Sequence, residues 1–204
     1  DRIKVAVVQT GVGFARARAA TQALIDAHSP PWVLSVGFSG ALKPEMKNGD
    51  IVVATSVCDL HGQELQNDVH FPEDPEHGLY VGRIINTDEI VRTVDEKLKL
   101  AAQFDALAVD LESLAVAQVC QAAQKGFMAI RAISDDCSVD LPPEIMSNLG
   151  ETGAVRAGAA LGAVFKRPES IKEMWKMRGD ASRAATRLAS FLDGVVVQLY
   201  EARH

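Results

Sequence analysis

Six short runs rich in Val and Ile recur along the chain, at residues 3–9 (IKVAVVQ), 32–37 (WVLSVG), 50–57 (DIVVATSV), 79–85 (LYVGRII), 106–109 and 127–133 (FMAIRAI). Segments of helical period separate them, at 13–28, 89–103, 112–125, 151–165 and 180–202. In the last of these Ala184, Leu188, Phe191, Leu192, Val195 and Leu199 return at three- and four-residue steps and form one apolar face. The strand runs are apolar at successive positions, so both faces of the sheet they build must be covered, and amphipathic helices are what lies between them to cover it. The fold class is therefore α/β.

The 204 residues, 48% of them hydrophobic, suit a single globular domain with one sizeable core. A formal charge of -6, with Lys and Arg scattered along the chain, disfavours a nucleic-acid surface and favours a small-molecule ligand or a protein partner. Cys58, Cys120 and Cys137 are odd in number and contain no CxxC, which fits core thiols in a reducing compartment. No apolar run is long enough for a membrane span and no secretory signal opens the chain, so a cytoplasmic location is expected. His61, His70 and His77 lack paired ligand spacing, and "DDCSVD" lacks the glycine and terminal glutamate of a calcium loop. Neither a metal nor a cofactor is expected.

Several positions break the pattern of core and turn. In "QTGVGFARARAA" Gly11 and Gly13 join the first run to the first helix, where free amides could face a ligand or simply form a tight turn. The third glycine of a dinucleotide fingerprint is missing, which rules out a Rossmann assignment. Gly37, Ser39 and Gly40 follow the second run, and two glycines beside a strand end usually let something approach closely. Glu112 stands at the mouth of an apolar helix, and Asp135-Asp136 ends an apolar strand. On residue type alone Glu112 reads as a helix N-terminal charge and the aspartates as turn formers.

Taken together, "VGFSGALKPEMKNGDIVVATSV", "AVDLESLAVAQVC" and "FMAIRAISDD" resemble the nucleoside phosphorylase and nucleosidase superfamily, most closely its methylthioadenosine/S-adenosylhomocysteine nucleosidase branch. The C-terminal "LPPEI" and "RPESIKEMWKM" resemble the hopanoid-associated nucleosidases. The resemblance implies one domain over 1–204, a three-layer sandwich with a mixed central sheet between helices, lacking its N-terminal strand. It also implies a homodimer and a nucleoside substrate. Glu112 matches the glutamate that accepts hydrogen bonds from the ribose 2' and 3' hydroxyls, and the helix dipole is expected to favour its ionised form. Asp135 matches the aspartate that protonates purine N7, which requires a partly protonated carboxyl, promoted by burial and a neighbouring carboxylate. Arg131, in the same strand alternation, could orient or pair with one of these acids, or equally form a structural ion pair. Ser134, Ser39, Gly40 and Gly11 are further substrate-binding candidates. Ile90 and Val91 align with the adenine side, and Leu111 stands where a methionine often underlies the ribose; ordinary packing explains these three equally well.

Phosphorylases of the superfamily grip phosphate with a strand arginine and a hydroxyl residue beside the second glycine loop, where this chain has Ser35 and Phe38. Neither replaces a bidentate guanidinium, which points to water as nucleophile; Arg16 and Arg18 keep the phosphate reading open. The glutamate that activates water in the family would lie before residue 1, and the 59–78 loop is shorter than the family's. Hydrolysis of a purine nucleoside is the expected activity. A phosphate-dependent phosphorylase and a non-catalytic nucleoside-binding module are the alternatives.

Overall fold

A computed structural model describes residues 3–67, 71–141 and 170–201, with side chains of the last helix described from residue 182. The elements run α1 (Phe14–His28), β1 (Trp32–Ala41), β2 (Ile51–Cys58), β3 (Glu64–Gln66), β4 (Leu79–Asn86), α2 (Val94–Phe104), β5 (Ala106–Asp110), α3 (Ser113–Ala122), β6 (Gly126–Asp135) and α4 (Ser170–Glu201). The central sheet is mixed, in the order β3-β2-β4-β5-β1-β6. β1 and β6 are parallel, as are β2 with β4 and β4 with β5, whereas β2 pairs β3 and β6 antiparallel. Because β6 bonds both β1 and β2, the sheet curls and closes on itself.

Three apolar clusters explain which helix covers which part of the sheet. α1 and α3 bury Ala17, Ile25, Leu114 and Val119 against Val52, Ile84, Phe127 and Ile133. On the opposite side α4 lays Ala184, Leu188 and Val195 on Ile51, Val53, Met128 and Ile130, the stripe expected from its period. α2 sets Leu100, Ala101 and Phe104 against Leu42, Ile85, Ala106 and Val109. Each fully buried Leu, Ile or Phe side chain contributes about 1.5–3 kcal/mol of transfer free energy, so the strands are held from both faces as their composition requires. Cys58, Cys120 and Cys137 are all buried and none forms a disulfide, and burial pushes the Cys58 thiol up to about 11.

Three expectations need correction. Residues 3–9 form no strand: Ile3, Val5, Val7 and Val8 are exposed, Val7 at 89%. Apolar, β-branched composition reports a capacity to pair, but a strand exists only where a neighbour completes its ladder. No neighbour does so for this segment among the described residues. α2 starts at Val94 rather than at 89, because Thr93 caps it: the Glu96 amide donates to the Thr93 hydroxyl while the Glu96 carboxylate accepts from the Thr93 amide. The short β3 was not foreseen; Glu64 and Gln66 on it are solvent-facing and carry no apolar signal. The helix expected at 151–165 lies outside the described residues.

Candidate active site

Three strand ends meet at Gly40. It is registered with Asp135 of β6 on one side and with Val109 of β5 on the other, and the β1–β6 register slips between Ser39 and Gly40. The slip breaks the simple alternation that would have placed Arg131, Ile133 and Asp135 on one face. A Cβ at Gly40 would stand 3.0 Å from Asp135 Oδ2 and 3.3 Å from Val109 Cγ1. What this glycine lets approach is therefore the Asp135 carboxylate itself.

Glu112 lines the same cavity as Gly40 and Asp135. It is the N-cap of α3 rather than part of its first turn. Its backbone is shaped by Asp110, whose Oδ1 accepts from the amides of Glu112 and Ser113 at 3.4 and 3.3 Å. The Gly13 amide donates to Glu112 Oε1 at 2.7 Å, and Gly13 holds φ of 105°, a conformation that glycine alone adopts readily. The glycine turn before α1 thus serves the carboxylate. Burial raises the Glu112 carboxyl above its ordinary 4.5, with Asp110 adding to the rise and the Gly13 amide and Arg131 opposing it. The helix terminus was expected to favour the ionised form, and desolvation outweighs it.

Arg131 does not pair with Glu112 or Asp135. Its Nε donates to Asp110 Oδ2 at 2.7 Å, and its Nη2 donates to the hydroxyls of Ser35 and Ser113 at 2.9 and 2.7 Å. Its Nη1 donates to the carbonyls of Ser35 and Ile130. Both members of the pair are almost wholly buried, and hydrogen bonds of this number are what make such burial tolerable. The Ser113 hydroxyl also donates to Asp110, so the pair locks the 110–113 turn that presents Glu112.

Asp135 has a neighbour that sequence reasoning missed. The Lys97 ammonium donates to Asp135 Oδ2 at 2.6 Å and to the Asp136 carbonyl at 2.8 Å, and Lys97 is 0% exposed. The Ser134 hydroxyl donates to Asp135 Oδ1 at 2.8 Å. The expected second carboxylate is engaged locally, Asp136 Oδ1 accepting from the amide and hydroxyl of Ser138. A signal for Lys97 existed: with Val94, Leu100, Ala101 and Phe104 it follows the apolar spacing of α2, and a lysine in such a stripe is rarely buried without a partner.

Gly11, Ser39, Gly40, Ile90, Val91, Leu111, Glu112, Ser134 and Asp135 all line one cavity of about 1970 Å³. Its size exceeds the usual span for small-molecule sites of about 300–1,000 Å³ because residues 3–12 and β1 bound a groove continuous with it. The Ser39 hydroxyl is buried with no hydrogen-bond partner among the described residues. Arg16 and Arg18 are exposed and lie outside the cavity lining. The arrangement places two carboxyl groups and an apolar wall around one space, suited to a ligand with both a polar and a flat apolar part.

Comparison with known proteins gives consistent results. A family model described as "Phosphorylase superfamily" matches residues 1–81 and 75–166. The 5'-methylthioadenosine/S-adenosylhomocysteine nucleosidase of Staphylococcus haemolyticus is 28% identical over 156 residues, covering 65% of this chain and 68% of its own. The Tolumonas auensis protein of the same name is 27% identical over 187 residues, covering 79% and 81%. Among solved structures, the Streptococcus pyogenes S-adenosylhomocysteine nucleosidase in complex with 5-methylthiotubericidin superposes with a TM-score of 0.58 at 23% identity, covering 92% of this chain and 78% of that one. At that identity the likeness is one of fold, and it matches the mixed sheet between helices.

Proposed function

The chain belongs to the phosphorylase superfamily, and from that premise we propose that it hydrolyses the N-glycosidic bond of a purine nucleoside and releases the base. The substrate of this reading is an adenine nucleoside substituted at the 5' position. The observation that carries it is the presence of Glu112 and Asp135 on one cavity, with Ile90, Val91 and Leu111 on its walls. Cleavage passes through a sugar cation resembling an oxocarbenium ion, so the site must hold the ribose, stabilise positive charge and protonate the departing base. Glu112 accepts hydrogen bonds from the ribose diol and faces the developing cation, where a carboxylate in a dry pocket is worth more than in water. Asp135 hands the proton to N7, and Ile90 and Val91 flank the heterocycle. The Ser39 hydroxyl, buried without a hydrogen-bond partner among the described residues, is the further polar group this reading assigns to the ligand.

Water is the nucleophile of this reading. The Ser35 hydroxyl is engaged by Arg131, Phe38 offers no donor, and neither Arg16 nor Arg18 lines the cavity. A homodimer belongs to the same proposal, with sedimentation as its check. The C-terminal resemblance adds long apolar 5' substituents to the substrates worth assaying.

The test is base release from a panel of 5'-substituted and unsubstituted purine nucleosides, with and without phosphate. Phosphate-independent release supports hydrolysis, release only with phosphate identifies a phosphorylase, and binding without release identifies a nucleoside-binding module. The Asp135→Asn variant is expected to lose about 100- to 10,000-fold in rate, the range for a placed proton donor. Undiminished turnover in both Asp135→Asn and Glu112→Gln would remove the site assignment.

A further inference from the structure

Asp135 can protonate a leaving base only if a proton stands ready on it, yet the group beside it is the Lys97 ammonium and not a second acid. Lys97 is held in that place from several directions. It projects from the buried stripe of α2, it is 0% exposed, and its Nζ lies 2.6 Å from Asp135 Oδ2 and 2.8 Å from the Asp136 carbonyl. The other carboxylate oxygen of Asp135 accepts from Ser134, and Gly40 leaves the space that the carboxylate fills. Lys97 itself does not line the cavity, whereas Asp135 does.

We propose that Lys97 is a positioning residue that acts through Asp135 as the proton store for the departing base. An ammonium beside a carboxylate and an amine beside a carboxylic acid hold the same number of protons, and one proton moving along the 2.6 Å contact interconverts them. The inward move turns two charges into none and needs no rearrangement, since Nζ and Oδ2 are already in hydrogen-bond contact. The balance is complete. As the C1'–N9 bond breaks, its electron pair goes to the base and the Asp135 proton goes to N7, leaving the base neutral, Asp135 a carboxylate and Lys97 an amine. Water then bonds to C1', and the proton it releases restores the ammonium. No oxidant, reductant or further reactant enters.

This inference rests on the nucleosidase reading and can fail separately from it. Lys97→Met keeps the length of the side chain without a transferable proton. Lys97→Arg keeps the charge and its hydrogen bonds, but a guanidinium does not give up its proton in proteins. Each variant is assayed on a purine nucleoside and on the corresponding 4-nitrophenyl riboside, whose phenolate departs without protonation. Purine release is expected to fall by about 100-fold or more in both variants, with nitrophenol release within about threefold of wild type. Both rates come from one preparation, so their ratio does not depend on how much of a variant is folded. Equal loss on the two substrates, or recovery of purine release in Lys97→Arg, overturns the proposal. If the wild-type protein leaves the nitrophenyl riboside intact, the arginine variant decides: recovered purine release overturns the proposal, and lost release with nucleoside affinity retained supports it. Wild-type protein that cleaves neither substrate overturns the nucleosidase reading, and this inference with it.

Discussion

Glu112 shows how one residue carries a competition between forces that can be measured. Its carboxyl is raised above 4.5 chiefly by burial, so between that value and the raised one the folded chain keeps a proton that the unfolded chain has lost. Stability therefore falls as pH rises through this interval. Glu112→Gln removes the titrating group while leaving a carbonyl to accept from Gly13, and the variant should gain stability relative to wild type as pH climbs above 4.5. Urea unfolding of both proteins across this range checks it; parallel pH profiles would show that burial does not govern this acid. Gly40 offers a second test. A methyl group there meets a carboxylate that Lys97 and Ser134 already hold in place, so Gly40→Ala should destabilise the fold by about 1–3 kcal/mol, as overpacking does, and slow base release. Unchanged denaturation and turnover would mean that Asp135 yields freely.

Among the elements, α2 connects local sequence rules to the site. Its Thr93–Glu96 capping box sets where the helix begins and hence which residue, Lys97, points toward Asp135. Thr93→Ala should cost about 1 kcal/mol, with faster amide exchange confined to the first turn of α2; loss of protection throughout the sheet would contradict a local role. The start of α2 was marked in the sequence by Thr93-Val94-Asp95-Glu96, yet apolar Ile90 and Val91 extended the apparent helical period backwards to 89. Five of the six strand runs reappear as β1, β2, β4, β5 and β6, within about two residues except that β1 runs on four residues further to Ala41, because their composition already demands burial on both faces. The sixth, 3–9, has the same composition without a partner strand among the described residues, and pairing cannot be read from one segment. At the site, motif order pointed to Glu112 and Asp135. The Lys97 contact joins residues 38 positions apart, and the Gly13–Glu112 contact joins residues 99 apart. Such contacts are set by how the sheet curls, which spacing along the chain does not express.

On the scale of the whole molecule, closure of the sheet through the β2–β6 pairing brings the ends of β1, β5 and β6 to one point, and the chemistry-bearing side chains follow from that. The buried Asp110–Arg131 pair lies behind the point of convergence and holds the turn carrying Glu112. Gly40, Val109 and Asp135 lie at or next to the carboxyl ends of their strands, the side on which ligands of open α/β sheets generally bind. Among the described residues no helix is long and apolar enough to cross a membrane.

The account depends on one nucleoside touching both acids at once. A crystal structure with a carbon-linked analogue of 5'-methylthioadenosine, whose glycosidic bond cannot be cleaved, tests this most directly. The ribose diol is predicted against Glu112 and the N7 edge of the base against Asp135, with Lys97 still bonded behind it. An analogue bound with its diol or its N7 edge away from these carboxylates would contradict the account.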